Sequence, residues 1–396
     1  MEQTAVEKKF GKYVMASMIT MFLQSAYSMI DGLFVSNLIG DTALSAVNVA
    51  WPVIAVVTAI GTGVGCGGAV MMSTKQGEGK NEESNIVRAN VILALLASSI
   101  VVTILFLILL TPLLKLMGAE GELLRLSQIY GRVMLTGGVL QILSCGLTPL
   151  LRNDNRAVSA MMIMVGGLFV NLGLDFVFMY VFHMGIGGAA GASLCAQFII
   201  RKEYWKKIFK TAVSPFGISL TPSLLILYHN VACLKFGGDL AVNAYALISS
   251  TVGSYRVLLI GVAEGIQPLA SYAYGAHDFH AIRKIRNKAV ITAMGVSFFL
   301  FIFTIATARF YPAIYGYEGE AAELGYHAVM VTAAQLIFTG LVRVTNSFFY
   351  SVGKDKYSLF MIYFDPLIMT PLTIVILPRI FGLDGIWITA VVTQFI

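Results

Sequence analysis

Apolar runs of bilayer-crossing length follow one another from residue 13 to the end of the chain, separated by short charged segments. At about 20 residues per crossing, they fall at 13–35, 46–74, 89–110, 123–148, 158–181, 186–200, 212–236, 242–273, 289–310, 322–350, 357–377 and 383–396. The pattern predicts an all-α integral membrane protein with twelve transmembrane helices. The first run has full span length rather than that of a short leader core, so it reads as a span and not as a cleaved signal.

Sliding the chain on itself by 198 residues aligns Gly40 and Asp41 with Gly238 and Asp239, Gly63 and Val64 with Gly261 and Val262, Gly77 with Gly275, and Arg88 with Arg286. Six spans per half is an even number, so the two repeats run in the same direction. That arrangement predicts two lobes around a central cavity, related by an axis along the membrane normal. The expected division is 1–200 for the first lobe, 201–211 for a cytosolic linker and 212–396 for the second lobe. The sixth and twelfth runs are short, and Ile200 passes at once to Arg201. The expectation is that the sixth span lacks its second half and loop, and that the twelfth lacks its end.

Composition agrees with lipid as the solvent: 57% of residues are hydrophobic and 12% charged, against about 25% charged in a soluble domain. The net charge of +6 would suit a nucleic-acid partner, but its distribution excludes one. Of 27 Lys and Arg, 19 lie at the N-terminus or in even-numbered loops, among them Lys75, Lys80, Arg201, Lys202, Arg283 and Lys354. Basic loops stay on the cytoplasmic side, so both termini are expected there, in a multi-pass protein of the cell membrane. The basic segment 201–210 would then meet lipid headgroups. Cys66, Cys145, Cys195 and Cys233 lie inside apolar runs at unrelated spacings, which fits buried thiols rather than a disulfide frame or metal site.

Two acids stand out against this background. Asp31 falls late in the first span, and Asp175 lies inside the fifth, four residues after Asn171. An ionised carboxylate at the bilayer centre costs roughly 2.5–3.5 kcal/mol on insertion scales. That cost is tolerated where the group faces a protein-lined cavity and acts there, and ion-coupled transport is the obvious act. A spacing of four puts Asn171 and Asp175 on one helical face. Two carboxylates, an amide oxygen and a hydroxyl such as that of Ser193 suit a shared proton or a hard cation such as sodium. The blander readings are an interfacial place for Asp31 and an interhelical hydrogen bond for Asp175. Asp365 is expected to pair with Arg343 rather than to serve a cavity in the second lobe, and His229 to be a hydrogen-bonded bundle residue rather than a proton relay.

Several runs together resemble the MATE (multidrug and toxic compound extrusion) transporters, in the DinF-like bacterial branch. They are Tyr27-Ser-Met-Ile-Asp31 continuing through Gly40 to Ala46, the glycine-rich run Gly61–Gly79, the run Gly265–Asp278, and Asn171–Asp175 followed by Gly185–Ser193. The resemblance covers nearly the whole chain. It implies a monomeric two-lobed antiporter that expels amphipathic, mostly cationic small molecules in exchange for H+ or Na+, with no cofactor. It further implies that Asp31, Asn171, Asp175 and Ser193 form the ion-coupling site in the first lobe, with Gln24 and Tyr27 as polar neighbours. If the ion is sodium, Asp31, Asn171 and Asp175 would ligate it. Two departures are visible. No proline stands at Ala16–Met18, where many relatives bend the first span. The seventh and tenth spans carry His229, Asn230, Gln335 and Asn346 where another branch binds its ion through acids.

Other readings fare worse. A lipid-linked flippase of the same superfamily would need a strongly cationic cavity, and the bases within spans are only Arg132, Arg256 and Arg343. No His-Glu-x-x-His, G-x-S-x-G or Walker pattern supports an enzyme or direct use of ATP. Gly63, Gly65 and Gly68 fit a dinucleotide-binding spacing but lie mid-span with no βαβ unit, so close helix packing is the expected role.

Overall fold

In hydrocarbon, backbone N–H and C=O groups must bond within their own segment, so long apolar runs fold as helices. The computed structural model describes residues 9–23, 41–117, 119–154, 157–175, 208–315 and 317–395, and apart from short connections these are helical. Helix α1 covers 9–23. It is followed by α2 (Asp41–Gly77), α3 (Asn81–Leu116), α4 (Gly121–Thr136), α5 (Gly138–Asn153) and α6 (Ala157–Asp175). The second half holds α7 (Ile208–Gly275), α8 (Phe279–Thr307), α9 (Phe310–Ile314), α10 (Gly319–Ala333), α11 (Gln335–Ser351), α12 (Asp355–Phe364), α13 (Thr370–Phe381) and α14 (Asp384–Phe395). A π-helical turn, Asp365–Met369, joins α12 to α13.

The helix boundaries repeat with the sequence. Helices α3 and α8 start at Asn81 and Phe279, α4 and α10 at Gly121 and Gly319, and α5 and α11 end at Asn153 and Ser351, each pair 198 residues apart. The breaks repeat too. The expected fourth span is bent by 57° between α4 and α5, and the tenth by 45° between α10 and α11. Helix α7 is broken where Gly238 takes φ 61° and ψ −154°, a backbone state open chiefly to glycine. It thereby supplies two spans, Pro215–Gly238 and Leu240–Gly275.

Six described helices are long and apolar enough to cross a membrane, or eight with each bent pair counted as one span. They match the expected second to fourth and seventh to eleventh runs. Helices α6 and α14 occupy the fifth and twelfth runs, with 19 and 12 residues. The expected sixth run lies outside the described residues.

Two compact units emerge. One comprises Thr221–Ala270 and Asp278–Ile396 with the first helix up to Phe22; the other runs from Leu23 to Leu220 and includes Ser271–His277. The latter packs around Ile54, Met72, Leu95, Leu114, Leu135 and Ile142. The former packs around Leu247, Leu259, Leu336, Ile386 and Trp387. Each unit also presents an apolar face outward. Ile100, Val101, Ile104 and Leu105 are exposed on α3, and Phe298, Phe299, Ile302 and Phe303 are exposed on α8 at the equivalent positions. Apolar stripes this wide mark surfaces solvated by lipid.

The glycine-rich part of α2 serves packing, as its sequence suggested. A Cβ on Gly65 would sit 2.2 Å from the carbonyl oxygen of Gly146, and one on Gly68 would sit 2.1 Å from Cγ2 of Val91. Only a missing side chain lets α5 and α3 lie this close.

Candidate functional site

Of the coupling residues expected in the first half, Asp31, Ser193, Gln24 and Tyr27 lie outside the described residues. Asn171 and Asp175 stand on the last turn and a half of α6, four residues apart and so in succession along one helical face. Helix α6 runs from Ala157 to Asp175, so both positions belong to one helix.

The ends of neighbouring helices in that half are fixed by charge. Asp154, just beyond the end of α5, accepts from the guanidinium of Arg88 on α3 and from Nε2 of Gln76 on α2 at 3.4 Å. A carboxylate at a helix C-terminus opposes the helix dipole, so the arginine supplies the compensating charge. Nearby, Lys75 binds Glu78 at 2.8 Å and Glu83 at 2.9 Å, and Lys80 binds Glu78 at 3.0 Å. Hydrogen bonds from Lys75 and then Lys80 hold the Glu78 carboxyl below its usual range. These contacts tie the turn between α2 and α3.

The second half contains a polar cluster whose members were visible in the sequence but whose arrangement was not. Asp365 sits at the first position of the π turn, next to Pro366. Its Oδ1 accepts from the Thr370 hydroxyl at 2.6 Å, and its Oδ2 accepts from Nε2 of Gln394 at 3.1 Å. Thr339 on α11 donates in turn to the Gln394 carbonyl oxygen at 3.4 Å. The expected Asp365–Arg343 ion pair is not what forms: hydroxyl and amide donors take the carboxylate, while Arg343 and Arg256 act on it from longer range. Arg343 Nε is buried with no hydrogen-bond partner. The reason lies in the π turn, which brings Thr370 within reach of Asp365 five residues earlier.

His229 behaves as the bundle residue it was expected to be. Its Nδ1–H donates to the Leu225 carbonyl at 2.8 Å, and its ring stacks on Tyr245 with centroids 4.9 Å apart. Asn346 is likewise occupied, its Oδ1 accepting from Ser358. Among the described residues, no three His, Cys, Asp or Glu side chains converge as a metal site would require.

Two tandem helical repeats, each with a lipid-facing exterior and polar groups held inside its helices, define a polytopic membrane protein with the build of a transporter. The chain belongs to the MatE family, whose model matches residues 16–177 and 216–375. Members of that family are membrane transporters and not enzymes. The multidrug export protein MepA of Staphylococcus aureus (strain N315) is 23% identical over 410 residues, covering 97% of this chain and 90% of that protein. A multidrug resistance MATE family transporter of the MOP superfamily, solved in an outward-facing conformation, superposes with a TM-score of 0.91 at 23% identity, covering 98% of this chain and 92% of that one. A MOP superfamily transporter from Pyrococcus furiosus, for which reverse polarity of the binding pocket is said to suggest a different function, gives the same TM-score at 24% identity and the same coverage. The likeness to both structures extends the helical two-repeat fold over nearly the whole chain.

Proposed function

We propose that this protein is a multidrug efflux antiporter that exports amphipathic, mostly cationic small molecules in exchange for H+ or Na+. The exchange runs through a carboxylate site in the first half made by Asp31, Asp175, Asn171 and Ser193, with Gln24 and Tyr27 beside it. One observation supports the reading: in a chain of the MatE family, Asn171 and Asp175 lie four residues apart on one helix, α6, in an apolar run where an unused charge would be a standing cost. The full-length match to a protein named for multidrug export supports the substrate class.

In this mechanism two carboxylates facing one dry pocket cannot both stay ionised. A proton or sodium ion neutralises them, the helices around them repack, and a cationic substrate that needs the same charge is released. One elementary charge crossing about 100 mV supplies about 2.3 kcal/mol, enough for roughly a 40-fold substrate gradient. Both termini face the cytoplasm and the protein works as a monomer.

The test is ethidium transport by inverted vesicles, with the proton and sodium gradients collapsed separately. Transport should stop when one of the two is removed. Asp31→Asn should abolish it while the protein still inserts at normal levels. Transport indifferent to both gradients, or unchanged in Asp31→Asn, rejects the proposal.

A further inference from the structure

Among the described residues, the groups that bond to Asp365 are neutral: the Thr370 hydroxyl at 2.6 Å, Nε2 of Gln394 at 3.1 Å and the Thr393 hydroxyl. Thr370, Thr339 and Gln394 are themselves buried. Gln394 is held unevenly. A hydroxyl has one hydrogen, and the Gln335 carbonyl oxygen takes that of Thr339 at 2.8 Å, which leaves the 3.4 Å contact with Oε1 of Gln394 weak. The oxygen and nitrogen of an amide fill nearly the same space, so a half-turn of the group exchanges them. After that turn, Nε2 donates to a free lone pair of Thr339 and Oε1 faces Oδ2 of Asp365. Two acceptors so placed need a hydrogen between them, and a proton on Asp365 supplies it. The turned network serves a neutral Asp365 as fully as the present one serves an ionised one, and Thr370 donates to Oδ1 in both.

The π turn brings Thr370 and Asp365 together, and such turns are rare and frequent at functional sites. Arg256 on α7, a helix that also carries Glu264, and Arg343 on α11 act on Asp365 without bonding to it. They favour its charge, whereas surroundings poor in water favour its neutral form. The helices packed on the π turn carry Asp355 and Lys356 on α12, Arg379 on α13 and Asp384 on α14. Each of these stands nine or more residues along its helix from Asp365 or Gln394, about 13 Å or further. Tyr363, two residues before Asp365, lies on another side of α12.

We propose that Asp365 is a proton-binding site of the second half, and that the Gln394 amide turns over between its charged and neutral forms. The site lies on the eleventh span, apart from the seventh- and tenth-span positions where another branch carries acids, and it needs nothing from Asp31 or Asp175. Gln394 belongs to α14, Thr339 to α11 and Asp365 to the π turn, so one proton resets the contacts of three elements. The second half thereby changes its charge by one, whether or not the first-half carboxylates carry the exchange.

The test is infrared spectroscopy of the purified full-length protein in lipid nanodiscs across a range of pH. A protonated carboxyl group has a carbonyl stretch that its ionised form lacks, and subtracting Asp365→Asn from the wild type isolates this residue from the other acids. The difference should hold one carboxyl band that fades as pH rises. An asparagine side chain makes the bonds of the neutral acid, so this variant should fold, which size-exclusion elution checks. Gln394→Leu removes a donor that the charged form needs and should move the midpoint of the band to higher pH by roughly one unit. Thr339→Val removes the acceptor that the turned amide needs and should move it to lower pH by a similar amount. These opposite movements are read against the wild type, so they stand even where Asp365→Asn does not fold. Spectra of the wild type and Asp365→Asn that agree at every pH overturn the proposal, as do midpoints that stay fixed or move in one direction in the other two variants. Asp31→Asn should leave the band in place, so a failed exchange reading and a failed second-half site register separately.

Discussion

At the scale of single residues, what a position lacks is as telling as what it carries. Gly65 exists because Gly146 of the facing helix passes through the space a methyl group would fill. Gly65→Ala should destabilise the protein by about 1–3 kcal/mol, the usual cost of forcing a close-packed contact apart. Gly166→Ala should be neutral, since nothing lies within 4 Å of its Cβ position. Thermal unfolding of detergent-purified protein, followed by size-exclusion fluorescence, separates the two, and equal melting temperatures would refute the packing account. The glycine run was readable in the sequence because its spacing kept helical register within an apolar span. The fate of Asp365 was not, because its partners depend on a local change of helix type. A carboxylate and an arginine in one bundle suggest an ion pair, but the π turn offers a hydroxyl first.

At the scale of elements, the repeat was legible and its breaks were not. The 198-residue offset predicted matching spans, and the helix starts follow it from Asn81 and Phe279 to Gly121 and Gly319. The bends between α4 and α5 and between α10 and α11 left no such mark. Gly137 stands at one and Ala334 at the other, so composition alone names neither. The ends of α3 and α5 are joined by Arg88 and Asp154, two groups that remain partly exposed. Solvent therefore limits the pair to about 1 kcal/mol. In a double-mutant cycle, Arg88→Ala and Asp154→Ala should each lower the unfolding temperature. The double variant should lose less than the sum, by about that amount. Strict additivity would show that the contact carries no stability of its own.

At the scale of the whole molecule, the proposed orientation follows from the distribution of Lys and Arg along the sequence. It puts Lys80, Arg286 and Lys354 on the cytoplasmic side and Glu120 and Glu318 on the other. In a background with all four native cysteines replaced, single cysteines at the first three positions should react with a membrane-impermeant maleimide in inverted vesicles and not in intact cells. Cysteines at the last two positions should do the reverse. A mixed pattern within either set would contradict the topology. Fold and family were legible because hydrophobic length and motif order survive even where overall identity to relatives is near 23%. The proposed coupling site rests on residue types at helical spacing, since Asp31 and Ser193 lie outside the described residues.

The claim that substrate and coupling ion compete for one acidic pocket is tested most directly by what substrate expels. Ethidium added to purified protein in weakly buffered solution should release protons or, in sodium-loaded samples, sodium. Asp31→Asn and Asp175→Asn should release neither, and should bind the dye more weakly, because each removes charge that the dye and the ion compete for. A wild type that binds ethidium while releasing neither cation would contradict the exchange mechanism outright.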